Sequence, residues 1–112
     1  HNRVPLKDIR NLHDWSKGFD EGHSYWEQGD SERKNGNIEK AIELFDKARY
    51  NGYDAPALYN SYAMAYRKLK DYDNEIAIID EAIERLTKDK EKPLRFIERR
   101  ERAIALKKKQ ET

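Results

Sequence analysis

Apolar residues recur along most of this chain at the three-and-four spacing that places them on one face of a helix. The clearest run is Ile38, Ala41, Ile42, Phe45 and Ala48, with Glu39, Lys40, Glu43, Asp46 and Lys47 filling the other face. Ahead of it Gly36 can take a positive φ and close a preceding helix, Asn37 can cap the new one, and Gly52 supplies a stop. The pattern predicts an amphipathic helix over 37–50. A second run, Ile76, Ile79, Ala82, Ile83 and Leu86, follows a candidate cap at Asp71. Between the two, Leu58, Tyr59, Tyr62, Ala63, Tyr66 and Leu69 predict a helix over 56–69, with Pro56 in a first turn that needs no amide donor.

Weaker patterns flank these. Pro5 followed by Leu6, Ile9 and Leu12 predicts a short N-terminal helix, and Gly18 reads as a break beside Trp15 and Phe19. A further helix is expected over 21–34, with Tyr25, Trp26 and Gly29 as its packing residues. A short polar helix of this kind is marginal alone, so it must dock on the 37–50 helix and on the N-terminal segment. After a charged linker at 87–92, Pro93 opens a last helix carrying Leu94, Ile97, Ala103, Ile104 and Leu106.

The strong runs superpose at an offset of 34 residues: Ile38 on Tyr72, Ile42 on Ile76, Phe45 on Ile79 and Ala48 on Ala82. Upstream the same offset puts Tyr25 on Tyr59 and Gly29 on Ala63. Paired helices at this period resemble the tetratricopeptide repeat. Tyr25, Gly29, Gly36, Ala41, Phe45 and Ala48 fill that family's slots in one unit, and Tyr59, Ala63, Tyr66, Ile79 and Ala82 fill them in the next. Glu32, Lys70 and Glu75 depart from it, at an aromatic, the turn glycine and the first alanine. Glu75 is expected to loosen the second hairpin.

The resemblance covers about residues 22 to 87 and implies an all-α fold, a tetratricopeptide-like array of two helical hairpins. The hairpins would span 22–53 and 54–87, after an N-terminal helix or arm over 1–21 and before a linker and capping helix over 88–112. Pairing Pro93 with Pro56 sets Phe96 under Tyr59 but Arg100 under the small Ala63, so a third full unit is not expected.

Composition narrows the function. Of 112 residues, 40% are charged and mean hydropathy is -1.18, yet the apolar positions are periodic, which argues against disorder. The absence of cysteine excludes disulfides and thiolate chemistry and fits a reducing, cytoplasmic setting. No stretch approaches the ~20 apolar residues of a membrane span, and no signal peptide is visible. A chain opening on His1 rather than Met reads as an excised fragment or a processed product. The net charge of +1 hides a division: residues 1–86 hold 13 Lys/Arg against 17 Asp/Glu, and residues 87–112 hold 10 against 5.

Catalytic chemistry finds little support. His23 and Glu27 lie four apart on one expected helix face but lack a third ligand for a metal. His13, Asp14 and Ser16 have no nucleophile context, and no glycine loop for phosphate is present. No enzyme activity, cofactor or metal is therefore expected.

The resemblance implies instead a protein or peptide partner, held in a concave groove lined by the first helix of each unit. His23, Trp26, Asp30 and Arg33 would contribute from the first unit, and Asn60, Met64, Arg67 and Lys68 from the second. The opposing expectation is that Trp26 and Met64 pack on the N-terminal arm or the last helix and fill the groove. Some relatives clamp a partner's terminal carboxylate with Lys and Asn. Asn60 lies near one such position, but Trp26 stands where the lysine is needed, so that mode is not expected. The alternatives are self-association, or nucleic-acid binding through Arg95, Arg99, Arg100, Arg102, Lys107, Lys108 and Lys109.

Overall fold

The computed structural model describes residues 3–88 and 93–112, so most of the expected 87–92 linker lies outside the described residues. Among the described residues a 3-10 turn, Leu6–Asp8, precedes five helices: α1 (Trp15–Lys34), α2 (Ile38–Tyr50), α3 (Pro56–Lys68), α4 (Tyr72–Lys88) and α5 (Leu94–Glu111). The described residues include no strand, and none of their helices is long and apolar enough to cross a membrane. The chain divides within α3 into two compact units, His1–Ser61 and Tyr62–Thr112.

In the first unit α1 packs on α2. It begins at Trp15, six residues ahead of the expected start, and Asp14 caps it by accepting a hydrogen bond from the Lys17 amide at 3.1 Å. The break expected at Gly18 does not occur. Gly18, Gly22 and Gly29 instead form the contact face of α1, where any side chain would collide. A Cβ on Gly22 would lie 2.6 Å from Tyr53 Cβ and 2.7 Å from the Ala48 carbonyl oxygen, and one on Gly29 2.7 Å from Phe45 Cε1. On Gly18 it would run into the Gly52 carbonyl. Each glycine costs a helix interior about 1 kcal/mol relative to alanine, and close packing on α2 offsets that cost.

The N-terminal helix or arm expected from Leu6, Ile9 and Leu12 takes the form of a short 3-10 helix, Leu6–Asp8, opened by Pro5 and followed by an arm with Ile9 buried. The arm is stitched to the end of α2. The Arg10 amide donates to the Tyr50 carbonyl at 3.0 Å, Arg49 Nη1 to the Val4 carbonyl at 2.6 Å, and Asn11 Nδ2 to the Asn51 carbonyl at 2.9 Å. Asn11 Nδ2 donates to the Glu21 carboxylate as well. Asn37 stands at the N-cap of α2 as expected, but its side chain makes no capping hydrogen bond and its Nδ2 donates to Glu32 Oε2 at 2.8 Å. Ala41, Phe45, Ala48, Leu58 and Tyr59 are fully buried.

In the second unit α5 packs on α4. Tyr62, Ala63, Ala65, Ile78, Ile79 and Ala82 are fully buried, and Tyr62 and Tyr66 stack at 6.0 Å. Asp71 caps α4 by accepting from the Asn74 amide at 3.2 Å. Lys70, at the turn before it, takes the left-handed conformation (φ 59) that Gly36 (φ 87) takes 34 residues earlier. Phe96 and Ala103, seven residues apart, form the buried side of α5, while Leu94 and Ile97 are exposed. The outer face of the last helix is thus not wholly polar.

Candidate functional site

Residues spaced four, four and three apart on a helix lie along one line, and on α1 that line is aromatic. Trp15 and Phe19 have ring centroids 5.5 Å apart, Phe19 and His23 stack at 4.5 Å, and His23 and Trp26 follow at 5.5 Å. Tyr53, buried behind the row, presents its ring edge to Phe19 at 5.9 Å and to His23 at 5.5 Å. Trp15 is 63% exposed and Phe19 is also exposed; His23 and Trp26 are half-buried. Carboxylates sit beside the row. His23 Nδ1 lies 2.8 Å from Glu27 Oε1, and burial, with the charges of Asp54 and Glu27, pushes the Tyr53 hydroxyl above its ordinary pKa.

One turn further along α1 the side chains are tied down. Ser61 Oγ donates to Asp30 Oδ1 at 3.0 Å and accepts from Trp26 Nε1 at 3.2 Å. Arg33 Nε donates to the same Asp30 oxygen at 3.0 Å, and Lys34 Nζ lies 3.3 Å from Asp30 Oδ2. Burial alone would raise the Asp30 pKa. Hydrogen bonds from Ser61, Arg33 and Lys34, with the Arg33 charge, outweigh burial and hold the carboxyl below its ordinary value. Asp30 and Arg33 therefore spend their polarity inside the unit, and Asn60 is half-buried beside Ser61.

In the second unit Met64 and Lys68 are exposed, but Arg67 is not an open cation. Its Nη2 lies 2.7 Å from Glu75 Oε2 and donates to the Arg99 carbonyl at 3.2 Å. Glu75 is 0% exposed, and among the described residues Arg67 is its one close partner, at an angle that leaves neither carboxylate oxygen with a well-aligned hydrogen bond. Burial drives the Glu75 pKa up against the opposing pull of Arg67 and Arg99. Burial, with the Arg67 charge, likewise lowers that of Arg99. Of the basic residues on α5, Arg100 Nε meets Asp80 at 2.5 Å and Lys107 Nζ meets Asp73 at 2.7 Å. Arg95, Arg102, Lys108 and Lys109 are exposed.

Three residues of the first unit escaped the sequence reading. Treating Gly18 as a break left Trp15 and Phe19 outside the helix, although their spacing to His23 and Trp26 was a usable signal. Ser61 gave no signal, since a serine in a tyrosine-rich run looks like any other polar position. Among the described residues no three His, Asp or Glu side chains converge as metal ligands.

A family model described as tetratricopeptide repeat matches residues 26–90, more than half of the chain. No curated protein and no solved structure matches the chain significantly.

Proposed function

Because the chain belongs to the tetratricopeptide repeat family, whose members generally mediate protein–protein interaction, we propose that it is a non-catalytic module that docks a protein partner on α1. The observation that carries this reading is the row Trp15, Phe19, His23 and Trp26. Trp15 at its outer end is largely open to solvent and Phe19 beside it partly so, and exposed aromatic anchors are the side chains that most often dominate interface energy. Asp30 and Arg33 support the platform rather than the contact. The pairing of Arg100 and Lys107 with α4 carboxylates favours this reading over nucleic-acid binding through α5.

Crosslinking capture with the wild-type chain and with a Trp15→Ala, Phe19→Ala double variant tests it. Trp15 is largely exposed and Phe19 partly, so at a temperature where circular dichroism shows helicity retained the captured partner should be lost. A partner retained equally by both proteins refutes docking on α1. Arg67 is a poor probe, because its removal strands the Glu75 carboxylate.

A further inference from the structure

We propose that the aromatic row on α1 takes a cationic linear peptide, its arginine or lysine side chains stacking on the exposed rings with their charges beside the exposed Glu27 carboxylate. This rests on the reading of α1 as a docking face and adds the chemistry of the occupant.

Three observations favour a cation. The row offers ring faces, whose negative quadrupole attracts a guanidinium or ammonium, and indole does so best. Trp15 at one end is largely open to receive one. The flank of the row is acidic: residues 14–27 carry Asp14, Asp20, Glu21 and Glu27 against Lys17 alone. Asp14 is used as the helix cap and Glu21 is engaged by Arg10 and Asn11, but Asp20 and the Glu27 side chain remain exposed.

The field of Glu27 and Asp54 is felt at Tyr53, directly behind the rings, where it helps to hold the phenol protonated. An acidic occupant would meet that field unfavourably. A purely apolar one would strip water from the exposed Glu27 carboxylate and leave it only the His23 contact. Arginine suits the site better than lysine, because one planar group can lie on a ring and still fork toward a carboxylate.

The chain's two tryptophans, Trp15 and Trp26, both belong to the row, so its own emission reports occupancy. The intact chain is titrated with an arginine–glycine repeat peptide and with versions carrying glutamine or glutamate in place of arginine. The expected result is saturable binding of the arginine peptide, about tenfold tighter than the glutamine version and weakened by salt. The glutamate version should not bind. Trp15→Ala with Phe19→Ala should weaken the arginine peptide about tenfold, and the exposed Glu27→Gln about threefold, with circular dichroism unchanged.

Equal binding of the arginine and glutamine peptides, lost in the aromatic double variant, overturns the cationic occupant and leaves docking on α1 standing. Arginine-peptide binding that ignores the double variant overturns the proposal, since the peptide is then held elsewhere by charge. A dimer abolished by the double variant overturns it in favour of a second copy. If displayed random peptides yield none that depends on Trp15 and Phe19, the docking face and its occupant fall together.

Discussion

Asp30 in the first unit and Glu75 in the second are both taken largely out of bulk water, yet Asp30 keeps three donor groups around it and Glu75 one. A hydroxyl, a guanidinium and an ammonium converge on its carboxylate, and its pKa falls. Glu75 is more deeply buried, faces one ion pair and no aligned donor, and its pKa rises. The neighbouring slots differ in the same sense. Where the first hairpin has Gly29, Gly36 and Ala41, the second has Ala63, Lys70 and Glu75. The first unit gains stability from close approach and satisfied polar groups, whereas the second tolerates a buried charge and a left-handed lysine. A buried carboxylate is therefore no fixed quantity; its donors decide its sign.

The sharpest way to break this contrast is Arg67→Met, which leaves Glu75 buried and uncompensated and should cost about 3–5 kcal/mol in urea denaturation. Adding Glu75→Met should recover most of that loss, since an apolar pair in place of a buried ion pair is often neutral or stabilising. In the first unit, Gly22→Ala should cost about 1–3 kcal/mol, because the new methyl meets the Ala48 carbonyl and Tyr53 Cβ. An unchanged midpoint there would mean that α1 can lift away from α2 freely.

Ser61→Ala should cost about 1 kcal/mol by removing one donor to Asp30. The smallest effect, and the only gain, is expected from Lys70→Gly, about 0.5–1 kcal/mol from relief of a left-handed non-glycine residue.

A pH series separates the two carboxylates by sign. The stabilisation from Asp30, whose folded pKa is lowered, is full above its unfolded pKa and is lost as pH falls through the folded one. Glu75, whose folded pKa is raised, favours the folded state below its unfolded pKa and loses that advantage as pH rises through the folded one. Glu75→Gln should remove the downward slope of stability with rising pH above the ordinary carboxylate range, while Asp30→Asn should leave it in place.

Much of the fold was legible because most of the helices carry strong periodic faces and punctuation. Pro56 begins α3, and α2 ends at Tyr50 just ahead of Gly52. The start of α1 was not legible, since propensity rules treat glycine as a breaker and cannot see that Gly52 and Tyr53 need the space. The same blindness hid two members of the candidate site, Trp15 and Phe19, while His23 and Trp26 could be placed from the repeat offset. Arg67 looked like an open cation because its ion-pair partner, Glu75, sits eight residues away on another helix. Only packing brings the two together, and no local pattern reports a contact of that kind.

The glycines of α1 also impose an order in time. A helix with three interior glycines forfeits about 3 kcal/mol relative to alanine on top of a costly nucleation step, so α1 does not persist alone. α2 contains no glycine and carries the stronger apolar face, which makes it the template on which α1 winds. During synthesis the aromatic residues of α1 emerge ahead of α2, and with so weak an intrinsic helix preference their row is expected to form only once α2 and its following turn have emerged. The aromatic row is made early in the chain and becomes a surface late.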